Sequence, residues 1–583
     1  MPTCGDETWE PAAVLGEGSG LTFDLDRYEE LYDRALIEKM DHQEIAEFQA
    51  VPAKLDGETL VILAESEITP RARDRFKYLF KVQDIRIEKV SHVDIFMILD
   101  KYCKNEIMER TLKDLTEFMP SLSAHYVYSR KQVIWWSVLA ALSLAWIYFD
   151  VYTFLFVIFF IMQVIYFCVI SFRFGISMAG SQFEIVEMIS DEEVKALKDE
   201  SLPLYTVLVP VYKEANILPI LIKALKAIDY PPDKLDVLFL MEEDDLETIR
   251  KLESIKTPSN WKPLILPDYL PKTKPKACNY GLQFARGKFV TIYDAEDIPD
   301  PDQLKKAIIG HAKIGPSCLV VQAALNYYNW NQNLITSLFA LEYSYWFDYL
   351  LPGLEYFNLP IPLGGTSNHF NTRLLRELGA WDPYNTTEDA DLGMRGYATG
   401  LKIGTINSTT FEEANSQYWN WIRQRSRWLK GYMQTALVYN RHPIRTLKII
   451  GFKNWIAFQM MITGTPLMLL INPIVWLTFV IWAVGLFVQY FPTFPTWVIY
   501  FGFFNLWVSN FIGIYLNMLG VFKRKMYQLI PVAFLNPFYW IFFHSVAAYK
   551  ALWQLFFKPH YWEKTEHGLS NISPEGKESP VKL

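Results

Sequence analysis

From Asn454 to Phe522 this chain carries no charged residue, and between Lys131 and Arg173 the only one is Asp150. Apolar runs of that length do not suit a water-soluble fold, in which each surface element needs a polar face. A bilayer crossing takes about 20 apolar residues. The first run therefore fits two crossings, 132–149 and 151–170, with Asp150 at the turn. A buried core hairpin is the competing reading, and it is weak for an uncharged run this long. Arg130, Lys131 and Arg173 flank the pair, which puts both flanks on the cytoplasmic side. The second run can hold three crossings, or two and a helix lying in the interface. Lys523-Arg524-Lys525 follows, and then an apolar stretch, 528–557, interrupted by Pro531 and Pro537.

These runs divide the chain. Residues 1–22 read as a flexible lead-in, 23–120 as a small α+β module and 130–172 as the first membrane pair. Residues 174–450 return to soluble composition, 454–557 hold the C-terminal membrane or interface helices, and 558–583 form a polar tail. In the N-terminal module, residues 51–64 read as a hairpin turning at Asp56-Gly57. A basic helix over 70–80, a strand over 84–90 and a helix over 93–103 follow. The net charge of −8 argues against a nucleic-acid partner. Five scattered cysteines without a C-x-x-C pair argue against a zinc site or disulfide framework, and fit a reducing compartment.

Within 174–450, strands at 205–211 and 235–241 alternate with a helix at 217–228, which indicates a parallel sheet with crossover helices. The stretch Lys288–Asp302 is the most informative. Phe289 to Tyr293 reads as a buried strand, and Asp294, Glu296 and Asp297 stand at its carboxyl end, before Pro299 and Pro301. Ligands of open α/β sheets bind at the carboxyl ends of strands. Acidic groups there suit a hard divalent cation that bridges to a diphosphate. An acidic turn is the plain alternative.

Further motifs flank this strand. Lys274-Pro275-Lys276-Ala277 precedes it. Thr387-Glu388-Asp389 follows a Gly-rich polar segment, 364–369. Gln424-Arg425-Ser426-Arg427-Trp428 lies on an aromatic, Arg-rich helix. Trp562-Glu563-Lys564-Thr565-Glu566-His567-Gly568 follows the last apolar stretch.

In this order, between membrane regions, these motifs resemble those of the processive family 2 glycosyltransferases: cellulose, hyaluronan and mixed-linkage glucan synthases. The resemblance covers roughly residues 206–568. It implies a GT-A glycosyltransferase domain with a mostly parallel sheet, inserted between membrane helices, with the small α+β domain ahead of it. It implies that Asp294 and Glu296 match a D-x-D that holds Mg²⁺ or Mn²⁺ on a UDP-sugar diphosphate, with Glu296 or Asp297 as second ligand. Tyr212, Glu214, Glu242 and Glu243 fall in the uridine region, although the family usually has Asp where Glu242 and Glu243 stand. Lys276 matches a lysine near the diphosphate, and Asp389, beside Glu388, matches the catalytic base. Gln424, Arg425, Arg427 and Trp428 match the motif for the acceptor end and leaving diphosphate, and Trp562, Lys564 and Thr565 look like a gating loop. Partners implied are a UDP-sugar, the growing polysaccharide and membrane lipid, in an inner (plasma) membrane with the catalytic domain cytoplasmic.

Each motif also has a plain reading. Thr387 could cap a helix, Arg425 and Arg427 could bind anionic lipid, Trp428 could anchor at the interface, and the Trp562 segment could be a loose tail. The N-terminal module resembles the N-terminal domain of type II secretion and pilus ATPases. In some of those the domain binds cyclic di-GMP through Arg-Leu-Gly, of which Leu15-Gly16 is a weak echo. A docking site for a regulator or partner, without a ligand, is the expectation. The expected function is an inverting, processive polymerase using UDP-glucose first and UDP-N-acetylglucosamine second. A non-processive transferase onto a lipid phosphate and a non-enzymatic secretion-complex subunit are the alternatives.

Overall fold

The structure is a computed structural model and describes residues 33–572, apart from 41–43, 46–47, 49, 91, 183–188, 259 and 489–494. The lead-in, the Leu15-Gly16 echo and residues 573–583 of the tail lie outside the described residues. The chain forms two compact units, Met1–Ile107 with Leu246–Pro258, and Met108–Asp245 with Ser259–Leu583.

In the first unit the strands β1 (Ala50–Asp56) and β2 (Thr59–Ala64) pair antiparallel around Gly57, whose φ of 64° a glycine adopts without strain. β3 (Asp84–Lys89) runs parallel to β2, so the connection must cross over. The helix Pro70–Phe80 makes it. Thr69 accepts the Ala72 N–H at 3.2 Å, Pro70 opens the first turn, and Ala72 and Phe76 are buried. The helix expected to stop at residue 103 runs from His92 to Phe118. No Gly or Pro breaks the sequence before Pro120, so its true end lies there.

In the second unit an eight-stranded sheet has the order β6-β5-β4-β7-β10-β9-β11-β8. These strands are β4 (Tyr205–Val211), β5 (Leu235–Glu242), β6 (Trp261–Leu266), β7 (Phe289–Ile292), β8 (Ile298–Pro299), β9 (Cys318–Tyr327), β10 (Asn368–Asn371) and β11 (Lys402–Glu412). β4, β5, β6 and β7 are mutually parallel, and β4, β5 and β7 read as largely apolar runs because both faces are covered. β7 is central, as its sequence suggests. The sheet is mixed rather than mostly parallel. β10 runs antiparallel to β7 and β9, and β8 antiparallel to β11. The Asn-His-Phe-Asn of β10 is too short and polar to be recognised from its pattern alone.

Among the described residues, three helices are long and apolar enough to cross a membrane: Arg130–Ser181, Phe452–Gly485 and Thr496–Lys523. A pair bent by 62°, Tyr527–Ala533 with Asn536–Phe557, would be a fourth if counted as one span. The first breaks at Asp150, which leaves helical geometry and accepts the Thr153 N–H at 3.0 Å, capping a new helix. Trp146 and Phe154 meet edge-on across the break at 5.8 Å. Ile134, Trp135, Leu139, Leu142, Tyr148 and Phe149 are exposed, an apolar patch of the kind that marks a membrane or protein contact. The apolar stretch from residue 454 shows one continuous helix as far as Gly485, which carries Pro473 inside it and a π-turn at Gln459–Thr463.

Close backbone contacts and ion pairs fix the sheet domain onto these helices. A Cβ at Gly180 would lie 2.0 Å from the Tyr349 carbonyl oxygen, and one at Gly353 2.1 Å from that of Ile176. The two glycines thus let helix 151–182 and the short helix Leu351–Tyr356 touch backbone to backbone. Arg524, just past helix Thr496–Lys523, binds Asp348 through two bonds of 2.6 and 2.7 Å and donates to Thr409 of β11 at 3.1 Å.

Gly353→Ala should therefore cost about 1–3 kcal/mol by overpacking and lower the thermal midpoint. Gly175→Ala, on the facing helix and with nothing within 4 Å of the added Cβ, should leave the midpoint unchanged or raise it. Thermal melts of the two purified variants check the pair.

Candidate active site

A cavity of about 450 Å³ opens at the carboxyl ends of β4, β5 and β7 and continues down to the apolar helices. Of the residues singled out from the sequence, it is lined by Tyr212, Glu214, Glu242, Asp294, Glu296, Glu388, Asp389, Gln424, Arg425, Arg427, Trp428, Trp562, Lys564 and Thr565. Lys276, Glu243 and Asp297 do not line it.

The turn after β7 explains the division of its three acids. Asp297 is fully buried, accepts the Asp294 N–H at 2.7 Å and takes the Thr366 hydroxyl, so it staples the turn. Asp294 and Glu296 then face the cavity. Lys274 forms an ion pair with Asp294 and donates to the Gly365 carbonyl at 2.7 Å. Lys276 points the other way and is buried against Glu242 at 2.8 Å. The helix Lys274–Gln283 begins at these residues, and positions two apart lie on opposite faces. The lysine beside the acids is therefore Lys274, and only the helix start distinguishes the two in the sequence.

Glu388 and Asp389 open the helix Glu388–Ala398, and Asp389 accepts the Ala390 N–H at 2.7 Å. A Cβ at Gly365 would lie 3.4 Å from Asp389 Oδ2 and 3.9 Å from Lys274 Nζ, so these two groups converge on that glycine. Thr387 makes no side-chain cap. It packs instead against Gly431, where a Cβ would approach its side chain to 2.2 Å. The preceding residues hang on the helix Tyr418–Tyr439 through Asn385 to Thr435 at 2.9 Å and Thr386 to Gln434 at 3.0 and 3.1 Å.

That helix also carries the Arg and Trp residues. Arg425 donates to Glu342 at 2.6 Å and lies over the Trp428 ring at 4.5 Å. Burial opposes the Glu342 charge, but Arg425 and the neighbouring His544 outweigh it and hold the carboxyl at about 2. Gln424 accepts from Asn415 at 2.8 Å. Arg427 lies over Trp562 at 4.6 Å, its Nε is buried without a partner, and no carboxylate among the described residues lies within 4.0 Å of it.

Residues 559–569 form an irregular strap over the cavity, pinned by side chains. Lys430 and Gln434 hold the Tyr561 and Pro559 carbonyls, and Lys550 and Gln554 hold Glu563. Lys564 reaches the Tyr212 and Lys213 carbonyls, and Glu413 takes the Gly568 and Leu569 N–H groups. His567 pairs with Glu296 at 3.0 Å. Burial disfavours the imidazolium, but Glu296 outweighs that and lifts His567 to about 9. His567 and Lys274 were both legible as motif residues, yet nothing in the sequence says which acid each would meet.

Burial dominates the remaining acids. It raises Glu388 to about 8, with Asp389 beside it adding to the effect, and raises Asp389 to about 6. Glu214 rises to about 7 for the same first reason, with Glu296 contributing. Near neutral pH, then, Asp389 is largely ionised while Glu388 keeps its proton.

Comparison with known proteins fits this geometry. Residues 289–544 match the family model described as Glycosyl transferase family group 2. Residues 289–544 are thus similar to a family 2 glycosyltransferase domain. The chain is 23% identical over 245 residues to the Probable glycosyltransferase YdaM of Bacillus subtilis (strain 168), covering 41% of this chain and 58% of that protein. It is 26% identical over 255 residues to the Probable glucomannan 4-beta-mannosyltransferase 10 of Arabidopsis thaliana, covering 40% of this chain and 44% of that protein. The match thus spans about half the length of these curated relatives. Among solved structures, the mannosyltransferase PcManGT from Pyrobaculum calidifontis, in complex with GDP-Man and Mn²⁺, aligns at 17% identity and a TM-score of 0.40. That alignment covers 67% of this chain and 99% of the other.

A base at Asp389 must be ionised, so turnover should fall as pH drops through about 6 and level off above it. Asp389→Asn should bind nucleotide normally and lose about 10²–10⁴-fold in turnover, with the acid limb abolished. Single-turnover rates from pH 5 to 8 check both.

Proposed function

We propose that the protein is a membrane-embedded, inverting, processive glycosyltransferase. It takes a UDP-sugar, UDP-glucose first and UDP-N-acetylglucosamine second, builds a β-linked polysaccharide and passes it through its own helices. The observation that carries this reading is the single cavity in which Asp294, Glu296, Asp389, Arg427, Trp428 and the strap meet. The name of the plant relative, a glucomannan 4-beta-mannosyltransferase, fits β-linked hexosyl transfer.

The acceptor hydroxyl oxygen attacks the anomeric carbon, the bond from that carbon to the diphosphate oxygen breaks, and configuration inverts. Asp389 takes the hydroxyl proton. The negative charge that appears on the leaving UDP falls to Arg427 and Lys274, which are already desolvated and need not reorganise. Trp428, fixed by Arg425, offers a flat face for a sugar ring. Tyr212 and Glu214 lie where the nucleoside would rest, under Lys564.

Among the described residues no group of three or more His, Cys, Asp and Glu is set to hold a metal by itself. Mg²⁺ needs only one or two protein carboxylates when substrate phosphates complete its shell. Asp294 and Glu296 fit that role once the diphosphate is present, and a cation there supplies Lewis-acid charge neutralisation. Asp297 is placed for structure.

The topology that suits this function has four crossings. Helix 130–182 breaks at Asp150 into two, Phe452–Gly485 and Thr496–Lys523 add two, and the bent pair folds back against Glu342 through Tyr539 at 3.0 Å. Arg524, bound to Asp348 and Thr409, then lies on the catalytic side, which agrees with the positive-inside tendency. The N-terminal module remains a docking or regulatory element in this reading.

UDP release by the purified protein across a panel of UDP-sugars, with linkage and length analysis of the product, tests the function. Release with none of them would rule it out, and a single-sugar product would rule out processivity. In the same assay Glu296→Ala should abolish the divalent-cation dependence of UDP binding. Asp297→Asn should instead lower the thermal midpoint. A cysteine placed at Lys523 in a background free of the native thiols should resist membrane-impermeant labels in intact cells and react after permeabilisation. Labelling from outside would refute four crossings.

A further inference from the structure

The end of the cavity formed by the apolar helices carries a charge that the transfer chemistry above does not use. Arg173 lines it together with Tyr345, Trp346, Thr465 and Trp540. Its side chain lies between two indoles, 6.0 Å from the Trp346 ring and 5.9 Å from that of Trp540. The residue is 5% exposed. Of its five N–H donors, one reaches the Thr465 hydroxyl at 2.6 Å, while the buried Nε has no partner.

No carboxylate among the described residues lies within 4.0 Å of this guanidinium. The one nearby acid, Glu342, is already taken. It accepts from Arg425 at 2.6 Å and Tyr539 at 3.0 Å, and His544 stands 3.3 Å away. Arg425 and Glu342 cancel, so this end of the cavity keeps one uncompensated positive charge. A buried charge without a counter-ion is strongly destabilising. An apolar side chain would join the two indoles at lower cost, so packing alone does not account for an arginine here. Its level along the helix is informative as well. From Asp150 to Arg173 the helix rises about 35 Å at 1.5 Å per residue, slightly more than the roughly 30 Å hydrocarbon core. That sets Arg173 at headgroup depth, on the side of the sheet domain.

We propose that this end of the cavity is an acceptor subsite for an anionic group, a phosphate or a carboxylate, and that Arg173 binds it. The two indoles and Tyr432 enclose the neighbouring apolar or sugar portion of the same acceptor. The inference rests on reading the cavity as the transfer site, and it adds that the acceptor is charged near the end that enters. The group has two possible sources, a lipid phosphate at the membrane face or an acidic sugar in the acceptor glycan.

The test uses the full-length protein in nanodiscs of zwitterionic lipid at saturating UDP. Affinities are measured for two pairs of probes: a long-chain prenyl monophosphate against the prenyl alcohol, and a hexuronate oligomer against a neutral hexose oligomer of equal length. At least one anionic member should bind roughly ten- to hundredfold more tightly than its neutral counterpart, the range expected for charge-assisted hydrogen bonds. Preference in the first pair names the lipid as source, and preference in the second names the glycan. Arg173→Gln should abolish the difference and Arg173→Lys keep part of it, with UDP affinity reporting whether each variant has folded. Equal binding within both wild-type pairs overturns the subsite, as does a difference that survives in Arg173→Gln. UDP release across the sugar panel is scored separately, so a failed subsite and a failed transferase reading remain distinguishable.

Discussion

The crowding of carboxyl groups at the carboxyl end of β7 is the constraint on which the rest of the site depends. Asp294, Glu296, Glu388, Asp389 and Glu412 line one cavity. Repulsion in a low-dielectric space forbids ionising all of them together. The structure answers in two ways. Cations are brought to two of them, Lys274 to Asp294 and His567 to Glu296. Protons are retained on others, since burial lifts Glu388 to about 8 and pushes Glu412 well above its ordinary range. Asp389, raised only to about 6, ionises before its neighbour Glu388 and carries charge near neutrality. The His567 contact also couples the strap to the acids. If the strap lifts, Glu296 loses its counter-charge, and the demand for a cation at that position rises.

One helix, Tyr418–Tyr439, holds the parts in register. Gln424, Trp428, Gly431 and Thr435 recur at helical spacing, with Lys430 and Gln434 beside them. From that surface the helix offers Trp428 to the cavity and receives Thr387 at Gly431. It fixes Asn385 and Thr386 through Thr435 and Gln434, and ties the strap at Pro559 and Tyr561. The segment that leads into Asp389, the Trp428 ring and the strap thus share one rigid support, so their spacing does not depend on loop conformation. The sharing also explains a glycine inside a helix that otherwise gains nothing from it.

Much of this was legible in the sequence, for identifiable reasons. Strands buried on both faces appear as unbroken apolar runs, so β4, β5 and β7 can be recognised without context. The break at Asp150 is legible because a single carboxylate interrupts an uncharged run. What stayed hidden depends on partners far along the chain. Asp294, Glu296 and Asp297 are equivalent by composition, and only the Thr366 hydroxyl and the tight turn turn Asp297 inward. Lys274 and Lys276 differ only by where their helix begins. The antiparallel β10 carries too few residues to announce itself. The helix Phe452–Gly485 runs through Gly464 and Pro466, residue types that ordinarily interrupt a helix. Helical neighbours tolerate such residues when a π-turn and packing satisfy the freed backbone groups.

The boundary between the sheet domain and the apolar helices is itself part of the site. Arg524 grips Asp348, Gly180 and Gly353 bring two backbones into contact, and Tyr539 of the bent pair reaches Glu342. Each contact joins a residue of the soluble portion to one at the end of an apolar helix. Glu342 in turn orients Arg425, and Arg425 orients Trp428. A movement of the bent pair therefore changes the platform beside Asp389 through only two intervening side chains. Trp540 and Arg173 line the same cavity beside that relay. The apolar helices are thus a wall of the cavity, and the sheet domain cannot be cut away from them without opening it.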